Sequence, residues 1–161
     1  MANDIYLDQK HNDLVDELCQ GDGRVFENNA YGSVIFALVG HMSDHRVSVG
    51  SGQRREVPGS ALERADAEAY AYLMAVVEQP DEPGCLRSSN DKEIWQRFEE
   101  YANGGLEIIA EWKLNSTGSV SDVVLQKMYE VILALPIPKL GGGAGADGDE
   151  EGKEFTPTFD V

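Results

Sequence analysis

The sequence predicts an all-α protein, a compact bundle of about five helices around one central apolar helix, followed by an acidic C-terminal tail. Three observations predict it. Along most of the chain the apolar residues recur at intervals of three and four, the spacing that puts them on one face of a helix. Alternation with a period of two, which marks a half-buried strand, is confined to one short stretch, "RVSVGSGQRREV" from Arg46 to Val57. The helical stretches are bounded by residues that stop helices, Gly21, Pro80 and Pro136. The 161 residues suit a single domain whose core needs no disulfide. That domain is placed at residues 1–140 and the tail at 141–161.

The first helix is expected from about Asp8 to Cys19, with Leu14, Val15 and Leu18 on one side. The second, about Asn29 to Ser43, contains "SVIFALVG", which is apolar nearly all round. By length that run alone would fit a buried strand, but Ala30, Tyr31, His41 and Met42 extend it to the length of a central helix. A third helix begins at Ser60, where Glu63 three residues on completes a capping-box pattern, and runs to Pro80. It places Leu62, Ala65, Ala69, Tyr72, Leu73, Val76 and Val77 on its inward face. Asp66 projects onto that face, where a carboxylate needs a partner such as Arg54 or Arg55 unless it lies at the wet edge. The last helix, about Ser121 to Leu135, turns Val124, Met128, Val131, Ile132 and Leu135 inward. Gly50-Ser51-Gly52 supplies turn residues for a short hairpin within Arg46–Val57.

The fourth helix poses a question, because "FEEYANGGLEIIAEW" carries Gly104 and Gly105 in its middle. At 100° per residue, Ile94, Phe98, Tyr101, Ala102, Ile108, Ile109 and Trp112 share one sector across the glycines. A turn would reset that phase, so one helix, straight or kinked, from about Asn90 to Leu114 is favoured over a helix capped at Gly104 and restarted at Leu106. Gly105 falls on the apolar face, where the missing side chain admits another helix; Gly104 falls on the polar side, with no such reason.

"FEEYANGGLEIIAEWKL", together with the opening "DIYLDQKHNDLVDELC" and the central "VIFALVG" followed by an arginine-bearing loop, resembles a small family encoded beside bacterial DNA phosphorothioation genes, the Dnd system-associated protein 4 family. The resemblance covers about Asp4 to Leu135; the "GSGQ" loop departs from the pattern and the tail lies outside it. It implies association with a defence system that replaces a phosphate oxygen of DNA with sulfur and restricts unmarked DNA. It brings no catalytic residue with it.

The net charge of −16, from 29 acidic against 13 basic residues, argues against non-specific binding to a phosphate backbone. It suits solubility, or docking onto a basic surface that otherwise holds DNA. The lone cysteines Cys19 and Cys85 and the polar start point to a cytoplasmic protein, and no apolar run approaches the roughly 18 residues of a membrane span.

No nucleophile elbow, phosphate loop or dinucleotide fingerprint is present, so no catalytic residue, cofactor or metal is expected. His41 and His45 stand four apart, as zinc ligands on a helix do, but no third ligand is evident. With Arg46, Arg54 and Arg55 they form the one locally basic patch, a candidate contact for an anion or an acidic partner unless nearby acids engage it. The glycine-rich acidic first half of the tail is expected to be disordered, and Phe155, Phe159 and Val161 at its end form a candidate docking motif on a leash. The leading expectation is a non-enzymatic adaptor contacting protein components of a DNA-modification or restriction assembly. The alternatives are an acidic DNA mimic that occludes a DNA-binding partner, and an enzyme with an unfamiliar site around His41, His45 and Arg46.

Overall fold

The computed structural model describes residues 3–50 and 52–134. The tail, with Phe155, Phe159 and Val161, lies outside the described residues. The order of elements is β1 (Ile5–Asp8), α1 (Asn12–Cys19), α2 (Asn29–Met42), β2 (Arg54–Val57), α3 (Gly59–Arg64), α4 (Ala67–Glu78), α5 (Asp91–Leu114) and α6 (Val120–Ala134). The architecture is all-α as expected, with one small addition: β1 and β2 pair antiparallel, Ile5 opposite Val57 and Asp8 opposite Arg54.

The hairpin expected within Arg46–Val57 does not form. Its second half becomes β2, but its first half is held by α5, where Val47 N–H donates to the Glu100 carbonyl at 3.0 Å and Ser48 Oγ donates to Glu100 Oε1 at 3.2 Å. The N-terminal strand takes the vacated place. In consequence α1 starts at Asn12, after a single turn of 3-10 helix at Gln9–His11, rather than at Asp8.

The expected third helix is two. Asp66 takes a left-handed conformation, φ 52°, which ends α3 and starts α4 on a new phase. The inward face therefore becomes Ala67, Ala71, Met74 and Ala75, and Leu73, Val76 and Val77 turn to solvent. The capping box is not used either. The N–H of Gly59 donates to Asp4 Oδ1 at 2.7 Å, so a distant carboxylate serves the first turn and Ser60 lies inside the helix. Asp66 itself is exposed, at the wet edge of the two readings, and neither Arg54 nor Arg55 pairs with it.

At the centre α2 packs on α5, which is one uninterrupted helix through Gly104-Gly105. A methyl on Gly105 would overlap the Phe36 carbonyl of α2 and sit 3.0 Å from Gly40 N; a methyl on Gly40 would overlap the Tyr101 carbonyl and sit 2.9 Å from Gly105 N. The two glycines thus form a mutual notch in which the helix backbones touch. Gly104 has its own reason, contrary to its expected polar placement. It is buried, and a methyl there would overlap the His45 carbonyl in the loop after α2. The neighbouring Asn103, 1% exposed, completes the junction: its Oδ1 accepts from Asp8 N–H at 2.8 Å, and its Nδ2 donates to the Tyr6 and Glu99 carbonyls at 2.9 Å each. "NGG" is therefore the place where β1, the post-α2 loop and α2 all meet α5.

Candidate functional site

Of the five basic residues expected to form a contact patch, His41 and Arg46 both meet the Tyr101 ring, while His45, Arg54 and Arg55 have other partners. The helix ends at Met42 and Asp44 turns the chain with φ 47°, so His41 and His45 serve different carboxylates. His41 lies edge-on to Tyr101, ring centres 5.0 Å apart, with its Nε2 3.8 Å from Glu78 Oε1. Glu78 also accepts from Tyr101 OH at 2.6 Å and pairs with Arg97 at 2.9 Å. Burial, and then the donation to Glu78, push the Tyr101 phenol up to about 12. His45 Nε2 lies 2.9 Å from Glu107 Oε2, and Lys10 Nζ lies 2.6 Å from Glu107 Oε1. The Lys10 and His45 hydrogen bonds hold the Glu107 carboxyl below its ordinary range.

The arginines are engaged as well. Arg46 lies over the Tyr101 ring at 5.6 Å, and Arg54 over the Tyr6 ring at 5.5 Å while its Nε donates to the Gly50 carbonyl at 2.8 Å. Arg55 pairs with Asp16 at 2.5 Å. The basic groups of the loop after α2 and of β2 act as a strap, fastening this stretch to α1, β1 and α5. Among the described residues no group of three or more His, Cys, Asp or Glu side chains is arranged to hold a metal ion. Cys19 is buried, which pushes its thiol up to about 12.

Two surfaces are exposed and apolar, and they include residues expected to face inward, Ile132 on α6 and Leu73, Val76 and Val77 on α4. On α6, Leu125, Tyr129, Ile132 and Leu133 recur at helical spacing and are 52%, 63%, 61% and 67% exposed. The opposite side of α6 is the buried one, through Val120, Val123 and Val124. Ile132 belongs to the outward set, which corrects its expected place; Leu135 lies outside the described residues. Between α6 and the core runs an apolar groove of about 130 Å³, lined by Ile35, Leu38, Val39 and Met42 of α2, Trp112 of α5, and Met128, Val131 and Ile132 of α6. The second surface is the outer side of α4, with Tyr70, Leu73, Val76 and Val77. The signal was present in the sequence: "VVLQKMYEVILA" and "AYAYLMAVV" are apolar on more faces than a one-sided helix requires.

The resemblance noted in the sequence is matched by a direct comparison: the family model described as DNA sulphur modification system-associated protein 4 matches residues 5–132. The chain belongs to this family. In this DNA sulphur modification system-associated protein the match runs from the first residue of β1 to the exposed Ile132 of α6, so it takes in the α2–α5 notch and most of the α6 stripe. No curated protein and no solved structure matches the chain. No described helix is long and apolar enough to cross a membrane.

Proposed function

We propose that this family member is a non-enzymatic adaptor in the cytoplasm, joining protein components of a DNA sulphur-modification system and of the restriction that acts on unmarked DNA. The observation that carries the reading is the α6 face. Four large apolar side chains in a row at helical spacing, each more than half exposed, lose favourable burial energy in a free monomer and recover it under a partner. The adjoining groove extends that surface back to Trp112 and Met42. The engagement of His41, His45 and Arg46 with Glu78, Glu107 and Tyr101 also favours an adaptor over an enzyme sited there.

The test is capture of sulphur-modification and restriction components by the full chain, compared with Tyr129→Glu and Ile132→Glu. Both side chains are more than 60% exposed, so both variants keep the fold and its melting temperature. Loss of capture in these variants, at low and high salt alike, supports apolar docking by α6. Capture unaffected by either variant would sink it, and capture that falls with salt and is competed by duplex DNA would favour the acidic-mimic reading.

A further inference from the structure

The two edges of the small sheet are treated differently. Gln9 N–H donates to the Gln53 carbonyl at 3.4 Å, one step beyond Asp8 opposite Arg54. In an antiparallel ladder the hydrogen-bonded pairs alternate, so Leu7–Arg55 and Ile5–Val57 exchange bonds. Tyr6 and Asp8 then point their backbone groups away from β2, and Arg54 and Glu56 point theirs away from β1. On the β1 side α5 covers the edge: Tyr6 N–H donates to Glu99 Oε2 at 2.8 Å and Asn103 serves the Tyr6 carbonyl and the Asp8 N–H. On the β2 side, no such cover exists among the described residues, and the sheet ends at β2.

Beside that open edge lies a groove of about 590 Å³, lined by Glu27, Asn28, Tyr31, Glu56, Val57 and Arg64 among others. Glu27 and Glu56 are exposed and form no ion pair among the described residues, and Arg64 turns its Nε to the Ser60 carbonyl at 3.1 Å. Unpaired strand N–H and C=O groups at regular spacing can pair with another extended backbone. Two unpaired carboxylates beside them call for a cation.

We propose that β2 accepts an extended segment of a partner protein as a third strand, laid along Arg54–Val57, with a lysine or arginine set against Glu56 and Glu27. A second copy of this chain is a poorer occupant. Pairing two β2 edges about Arg55 would set Arg54 opposite Glu56 twice, but the net charge of −16 opposes self-association. The inference rests on the reading of the chain as a protein-contact module, but uses a surface other than α6.

The test selects displayed random peptides of about eight residues, the upper part of the usual strand range, against the immobilised full chain, and measures the winners as synthetic peptides. The result expected is basic, extended peptides whose affinity falls about tenfold or more when alternate backbone N–H groups are methylated, the scale of one or two net hydrogen bonds. Glu56→Pro removes an N–H that β1 does not use, so it leaves the existing sheet intact and weakens the same peptides about tenfold. Glu56→Gln weakens them less, and only at low salt. Binding indifferent to N-methylation, equal binding to Glu56→Pro, or a selection that yields no binder overturns the proposal. So does self-association in sedimentation that Glu56→Pro abolishes, since the occupant would then be a second copy. Should Glu56→Pro fail to fold, the methylated peptides still decide. Because the readout is peptide binding, it stands or falls apart from partner capture by α6.

Discussion

Replacing Gly105 with alanine sets two opposed effects against each other. In an isolated helix the change gains about 1 kcal/mol, the usual penalty of a mid-helix glycine. In this protein the added methyl meets the Phe36 carbonyl well inside normal contact and lies 3.0 Å from Gly40 N. Both are backbone atoms of a buried helix, so no side chain can rotate away and α2 must shift from α5. Overpacking of a close-packed interior costs about 1–3 kcal/mol, and more where backbone must move. The upper end applies here, which leaves a net loss of about 2 kcal/mol after the helix gain. That corresponds to a fall in melting temperature of roughly 5–10 °C for a domain of this size. Circular-dichroism melts and urea titrations measure it, with an unchanged denaturant slope showing that only the folded state is affected. Gly23→Ala is the control. A methyl there meets nothing within 4 Å, and the change should be neutral or stabilising by a few tenths of a kcal/mol. A Gly105→Ala protein as stable as the wild type, or more so, would refute the reasoning that the notch, and not local preference, places glycine in the helix.

Other outcomes follow from the same contacts. Asn103→Ala strands the Asp8 N–H and the Tyr6 carbonyl in a region with little water, and should cost about 3 kcal/mol, with hydrogen exchange fastest to rise at Asp8. Glu107 is held below its ordinary range by Lys10 and then His45, so its contribution is complete above the unfolded carboxyl pKa and is lost as pH falls through the lower folded value. Glu107→Gln should therefore flatten the acid limb of a stability–pH curve below about pH 4.5, and an unchanged limb would remove the pair from the account. Glu99 is the reverse case, its carboxyl raised mainly by burial, so its ionisation weakens the fold as pH rises. Glu99→Gln keeps an oxygen for Tyr6 N–H without the charge, and its stability relative to wild type should rise as pH passes from the ordinary carboxyl range up through the raised folded value of Glu99; a relative fall would show that the charge itself is needed. Cys19 and Cys85 are both buried, so a thiol reagent at pH 8 should label neither quickly in the native state and both after denaturation.

How much of this was legible follows from where each cause lies along the chain. Helix existence depends on spacing within a dozen residues, and the sequence by itself determined α2, the unbroken phase of α5, the position of α6 and the all-α class. It also determined that a close approach would occur at Gly105. It did not reveal that "NGG" serves three neighbours, because those neighbours, β1, the strap and α2, lie from about 60 to nearly 100 residues away in sequence. Pairing of β2 with the N-terminus instead of with Arg46–Val49 was decided the same way, by α5 taking up Val47 and Ser48. A single left-handed residue, Asp66, re-phased α4 and sent Leu73, Val76 and Val77 outward, and nothing in the local pattern marks that turn. The basic patch was legible as composition, but its use as a strap required knowing which acids stood opposite. Periodicity states that a helix has an apolar face; only tertiary packing, which has room for a limited number of faces, decided which were buried and which, on α4 and α6, were left exposed.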